Sequence, residues 1–115
     1  METENQEPNK GQEFIENVRV DIMDNVLSQV MDPEIEIDIV NLGLIYELKF
    51  DGINTIDIVM TMSTPACPLS DAIVQNVKES IIHKYTNFTV NVEVVFEPLW
   101  HPGLISEEGK EMLEM

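Results

Sequence analysis

The residues that offer the most chemistry stand in one short run, Thr64-Pro65-Ala66-Cys67-Pro68. Cys67 is the only cysteine, so it has no partner within the chain for a disulfide, and it is available as a nucleophile or soft metal ligand. The run follows an alternating apolar stretch and precedes a helical pattern. Pro68 suits the first helical position, because the N–H it lacks would have no partner there. Cys67 then falls at the N-cap, where unpaired backbone donors and the positive end of the helix dipole favour thiolate over thiol. Its thiol is therefore expected to titrate below the free value of about 8.5. Asp71 opposes this from one turn into the same helix by disfavouring a second negative charge. The competing reading is a buried, inert cysteine, since free Cys behaves as a small hydrophobe.

Other polar residues form weaker constellations. Asp32 and Glu34 flank Pro33 and offer oxygen ligands or a general base, although acids beside Pro are frequent in plain turns. His83 lies off the apolar stripe of its helix and reads as a surface histidine, and His101 stands between Trp100 and Pro102. Neither histidine has a spacing that would make it the base of a thiol enzyme. With no second Cys and no His pair at ligand spacing, a zinc site built from this chain alone is poorly supported.

The elements that must position these residues follow from periodicity. Residues 1–12 have no apolar residue after the initiator and contain Pro8 and Gly11, so they read as a disordered acidic tail ahead of a single domain at 13–115. From Phe14, apolar residues at 15, 18, 22 and 26, widened by Met23, Leu27 and Val30, predict a helix ending before Pro33. Ile35, Ile37 and Ile39 alternate with Glu36 and Asp38, which predicts an extended stretch with one buried side. Leu44, Tyr46, Leu48 and Phe50 predict a first strand, and Asp51-Gly52 a turn. Ile56, Ile58, Met60 and Met62 predict a second strand paired with the first as a hairpin. Leu69, Ile73, Val77 and Ile81 predict a second helix to about Tyr85, and residues 88–96 a third strand. A short helical turn over 106–113 closes the chain. The order α-β-β-α-β implies a small two-layer α/β domain of the α+β type, with a mixed sheet and two helices packed on one face. Strand order stays open.

Composition removes several functions. The chain has 115 residues, 22 acidic and 6 basic, and a formal charge of -16. That balance repels phosphate backbones and anionic membranes, so nucleic acid and membrane are not expected partners. No apolar stretch is long enough to span a bilayer, and the polar, acidic start does not resemble a signal peptide, so a cytoplasmic location is expected.

Four ordered motifs carry a resemblance: Asp32-Pro33-Glu34, Ile39-Val40-Asn41-Leu42-Gly43-Leu44-Ile45-Tyr46, Met60-Thr61-Met62-Ser63-Thr64-Pro65-Ala66-Cys67-Pro68, and Pro98-Leu99-Trp100. They resemble the metal-sulfur cluster biosynthesis family, which includes SufT-type iron-sulfur assembly factors. The resemblance implies an α/β domain that helps to mature iron-sulfur proteins and is not itself an enzyme. It places the family's acidic pair on Asp32 and Glu34, its threonine on Thr61 or Thr64, its reactive cysteine on Cys67 and its aromatic on Trp100. It further implies that Cys67 is a transient metal ligand, that no cofactor is tightly bound, and that iron or an iron-sulfur cluster is held in passing. The partners it implies are the assembly machinery and client apoproteins, with a homodimer possible. Departures occur at Asn41, Ala66, His101-Pro102-Gly103 and Gly109-Lys110, where relatives often carry other residues. Alternatives are a PaaD-like accessory factor for a multicomponent oxygenase, a thiol-dependent enzyme and a purely structural adaptor. The PaaD-like relatives carry a cysteine-rich tail that this sequence lacks.

Overall fold

The computed structural model describes residues 10–33, 35–64 and 70–113. Helix α1 (Lys10–Asp21) runs into a π-helical turn (Ile22–Val26) and a 3-10 turn (Leu27–Gln29). Strands β1 (Ile45–Phe50) and β2 (Thr55–Met60) follow, then α2 (Ser70–Lys84) and β3 (Thr89–Val94). A 3-10 turn (Pro102–Leu104) and helix α3 (Glu107–Met112) complete the described chain. The first turn of α1 falls at residues 10–12, which the sequence places in the tail, and residues 1–9 lie outside the described residues.

The change from α- to π-helix has a physical reason in the spacing of the core residues. Val18, Ile22, Val26 and Val30 are all buried and lie four apart. Each four-residue step rotates the apolar stripe of an α-helix by roughly 40°, so three steps would carry its end off the core. A wider turn at Ile22–Val26 winds the stripe back and keeps Ile22, Val26 and Leu27 inside. The sequence predicts one helix up to Pro33, whereas the regular α-helix ends at Asp21.

The sheet has the order β1-β2-β3, which supplies the strand order that the periodicity leaves open. β1 pairs antiparallel with β2, and β2 pairs parallel with β3, so α2 is the crossover that parallel pairing demands. At the β1–β2 turn, the Asp51 side chain accepts from the backbone N–H of Ile53, Asn54 and Thr55, and Gly52 adopts φ +88°. Leu48, Phe50, Ile56, Ile58, Met60 and Val90 face the buried residues of the first helix and Ile73, Val77 and Ile81 of α2. Glu47, Lys49, Asp57, Asn91 and Glu93 lie on the exposed face, as period-two alternation requires. A register shift between Ile45 and Glu47 interrupts the regular alternation expected from Leu44.

One element differs in kind. Residues 35–39 are not a strand with a wet and a dry side, because Asp38 is buried together with Ile37 and Ile39. The chain reverses instead: the Asp32 N–H donates to the Ile37 carbonyl at 2.9 Å, and the Glu36 N–H to the Asp32 carbonyl at 2.7 Å. Glu36 takes φ +67° in this turn, and Met31 and Asp38 form an isolated antiparallel bridge.

Candidate functional site

Cys67 and Glu34 lie outside the described residues, as do Pro65, Ala66, Pro68 and Leu69. The structure does describe the elements on either side. The run containing Cys67 leaves the C-terminal end of β2, passes Thr61 and Thr64, and enters α2 at Ser70. β2 and β3 run parallel and end together at Met60 and Val94, and the Val95 N–H donates to the Met60 carbonyl at 2.8 Å. The cysteine segment therefore starts at the C-terminal edge of the parallel pair, a position where α/β sheets commonly bind ligands.

A backbone ladder ties the other motifs to this edge. The Ile39 N–H donates to the Val30 carbonyl at 2.9 Å, the Leu44 N–H to the Ile39 carbonyl at 3.1 Å, and the Thr61 N–H to the Leu44 carbonyl at 2.8 Å. The ladder links the end of the first helix, the 38–44 segment and the exit of β2. Asp32, close beside Val30, is buried, and its Oδ1 accepts from the Ile35 N–H at 3.3 Å. The aspartate thus also shapes the turn that the plainer reading of Asp-Pro-Glu expects.

The two threonines are in opposite environments. Thr64 is exposed, whereas Thr61 is fully buried and its Oγ1 has no hydrogen-bond partner among the described residues. Burying a hydroxyl without a partner costs about 1–3 kcal/mol, which makes Thr61 the unusual polar group at the root of the cysteine segment.

Trp100 reaches this region from the C-terminal strap, residues 95–106 between β3 and α3. Its Nε1–H donates to the Leu42 carbonyl at 2.7 Å, and its ring packs against the core. The Tyr46 hydroxyl donates to the Pro98 carbonyl at 2.8 Å, next to the cis Glu97–Pro98 peptide. Gly43, at φ +78°, lets the Leu104 backbone approach so closely that a Cβ there would stand 2.4 Å from the Leu104 carbonyl oxygen.

Sequence reasoning overlooked a polar network under this strap. The buried Asp38 carboxylate accepts from the Val40 N–H at 3.1 Å, the Asn41 N–H at 2.9 Å and the Asn41 Nδ2 at 2.7 Å. The Asn41 Oδ1 accepts from the Ser106 hydroxyl, which in turn accepts from the Gly109 N–H at 2.9 Å to cap α3. Asn41 thus uses both a donor and an acceptor, which one carboxylate cannot supply. An acid followed three residues later by Asn, a common side-chain turn pattern, was the available signal.

The remaining candidates have local roles or lie elsewhere. The exposed His101 accepts through Nδ1 from the Gly103 N–H at 3.1 Å and caps the 3-10 turn. His83 is exposed and lines a groove of about 390 Å³ with Asn25, Gln29 and Glu79. That groove sits near the C-terminal end of α2, roughly 14 Å or more along the helix from its first residue, Ser70. Among the described residues, no three His, Cys, Asp or Glu are grouped to hold a metal, and no helix is long and apolar enough to cross a membrane.

Comparison with known proteins places this architecture. Two solved structures superpose closely. A domain of unknown function, DUF59, from Bacillus anthracis has a TM-score of 0.78 and 32% identity, with 90% of this chain and 94% of that one covered. A conserved hypothetical protein from Thermotoga maritima has a TM-score of 0.69 and 37% identity, covering 83% and 92%. Among characterised relatives, the Bacillus subtilis Fe-S protein maturation auxiliary factor YitW is 37% identical over 73% of this chain and 82% of its own. The Staphylococcus aureus Fe-S protein maturation auxiliary factor SufT is 36% identical over 70% and 92%. A further such factor from Porphyromonas gingivalis is 33% identical over 78% and 84%. The model of the family described as iron-sulfur cluster assembly protein matches residues 14–94, so the chain belongs to the iron-sulfur cluster assembly protein family.

Proposed function

We propose that this protein is an auxiliary factor in the maturation of iron-sulfur proteins, acting in the cytoplasm as a carrier or docking factor and not as an enzyme. Cys67 engages iron, a cluster or a sulfur-bearing partner transiently, with Asp32, Glu34, Thr61, Thr64 and Trp100 forming its surroundings. Iron and sulfide are cargo in this reading, and none is tightly retained. The supporting observation is the fully buried Thr61 hydroxyl, unpartnered among the described residues, at the root of the segment that carries Cys67. A buried polar group without a partner in a native fold calls for an explanation, and a ligand or partner group is one. A thiolate suits iron, and incomplete ligation suits cargo that must be released.

The ligand arithmetic gives the test. Clusters are normally fixed by four ligands, mostly Cys thiolates, and this chain has one cysteine. Carboxylates such as Asp32 and Glu34 are poor substitutes on a sulfide-bridged cluster. Anaerobic reconstitution followed by desalting, sizing and iron analysis should leave the monomer fraction without a cluster. Any retained cluster should appear in a dimer or a mixed complex and vanish with Cys67→Ser. A monomer that keeps a full cluster through desalting contradicts the transient reading.

A further inference from the structure

The strap that brings Trp100 to the site also displays apolar side chains. Leu99 is 61% exposed, Phe96 39% and Leu104 38%. These residues are not on a slack loop. Leu99 stands between two anchored neighbours, Pro98, whose carbonyl accepts from Tyr46, and Trp100, whose indole N–H donates to Leu42. Leu104 is held against Gly43, and its N–H donates to the His101 carbonyl at 2.9 Å. The strap's ordering entropy is already met within the fold, yet the Leu99 side chain faces water. Apolar anchors held in place in advance are what a protein interface uses at its centre.

Charge selects the occupant. The six basic residues are Lys10, Arg19, Lys49, Lys78, Lys84 and Lys110, so none falls in residues 20–48, 50–77 or 85–109. Acids outnumber bases beside the strap, where α3 carries Glu107, Glu108 and Glu111 against Lys110, and Arg19 lines a groove with Tyr46. Glu93, Glu97, Glu107 and Glu108 flank the apolar residues. A second copy would bring the same acidic rim against this one, at a formal charge of -16 per chain.

From this pinned apolar strap in an acidic surround we infer that Phe96, Leu99 and Leu104 form a docking surface for a protein that presents an apolar patch rimmed by Lys and Arg. This inference rests on the maturation reading and names the kind of partner that the site meets. Its test uses neither iron nor Cys67, so its failure leaves that reading standing, and loss of the Cys67 role leaves the surface standing. Two short amphipathic helical peptides of matched apolar pattern, one of Lys and Leu and one of Glu and Leu, are titrated into the full chain by calorimetry at low and high salt. The Lys/Leu peptide should bind, more weakly in high salt, and the Glu/Leu peptide should not. Leu99→Ala and Leu99→Lys should each weaken binding by about tenfold or more, the scale of a central anchor. Ile53→Ala is the control, because Ile53 is 75% exposed at the far end of the β1–β2 hairpin and should leave affinity unchanged. Melting curves check that the Leu99 variants fold. Equal losses at Leu99 and Ile53, equal binding of both peptides, or self-association in sedimentation that depends on Leu99 would each overturn the proposal, the last by making a second copy the occupant.

Discussion

Replacing Thr61 with Val should make the protein more stable. The Thr61 side chain is fully buried and its hydroxyl has no partner among the described residues, while its backbone N–H is already bonded to Leu44. Valine substitutes a methyl for the hydroxyl at nearly the same shape and leaves the backbone bond intact. An unsatisfied buried hydroxyl costs about 1–3 kcal/mol, so removing it should return about 1.5 kcal/mol. For a domain of this size each kcal/mol moves the melting temperature by about 4–8 °C, which gives an expected rise of about 6–12 °C. Thr61→Ser is the counter-variant, because it keeps the hydroxyl and removes a packed methyl, and it should melt several degrees below wild type. Calorimetric melts of the three proteins at neutral pH decide the matter. A fall of more than about 4 °C in Thr61→Val would show that the hydroxyl is satisfied and would remove the supporting observation for the site. A stabilised variant that no longer supports iron-sulfur enzyme maturation would link the orphaned hydroxyl to function, the usual signature of a group retained at a cost in stability.

Two further outcomes follow from contacts away from the cysteine. The Asp21 carboxylate accepts from Lys84 Nζ at 2.8 Å, from the Tyr85 hydroxyl and from Asn25, and the Lys84 bond, followed by that of Tyr85, holds its pKa down from 3.8 to about 2. Because the folded value lies below the unfolded one, this contribution is full above about pH 5 and is lost as pH falls through about 2. Asp21→Asn should therefore cost about 1–2 kcal/mol at neutral pH, allowing for solvent around Lys84, and urea melts should show the difference shrinking steadily as pH falls below about 4, to a small remainder at about pH 2. A constant difference across that range would contradict the assignment. Gly43→Ala should cost about 2 kcal/mol or more, since it adds a left-handed φ penalty to a Cβ 2.4 Å from the Leu104 carbonyl oxygen. Lifting the strap should also shift Trp100 emission to the red, and unchanged emission with unchanged stability would refute the strap geometry.

The legible and illegible parts of this sequence divide along physical lines. Val18, Ile22, Val26, Ile73, Val77 and Ile81 announce two helices, and the alternation through 48–50 and 56–60 announces the hairpin, because these residues face one core with a fixed period. The π-turn was hidden, although the repeated step of four that requires it was visible. Residues 35–39 misled because alternating Ile and acid describes a half-buried strand as well as it describes a turn that buries Asp38 for its hydrogen bonds. Strand order depends on crossover packing, to which periodicity within a strand is blind. At the site, Asp32 was visible as an acid beside Pro33, Thr61 and Trp100 came from motif resemblance, and the structure adds their backbone bonds to carbonyls at 37, 42 and 44. Those bonds involve backbone groups that every residue carries, so no side-chain pattern encodes them. The exposed row on the strap was equally invisible, because Leu99 reads as a core residue until its 61% exposure is known.

The central claim is that Cys67 serves iron-sulfur maturation as a ligand or attachment point. Its most direct test is complementation of a strain lacking this protein with wild type, Cys67→Ser and Cys67→Ala, read as the activities of iron-sulfur enzymes against an enzyme that carries no cluster. The account expects wild type to restore the iron-sulfur enzymes, both variants to fail at equal protein levels, and the control enzyme to be indifferent throughout. Full restoration by Cys67→Ser would contradict it and leave the chain a structural adaptor whose cysteine is inert.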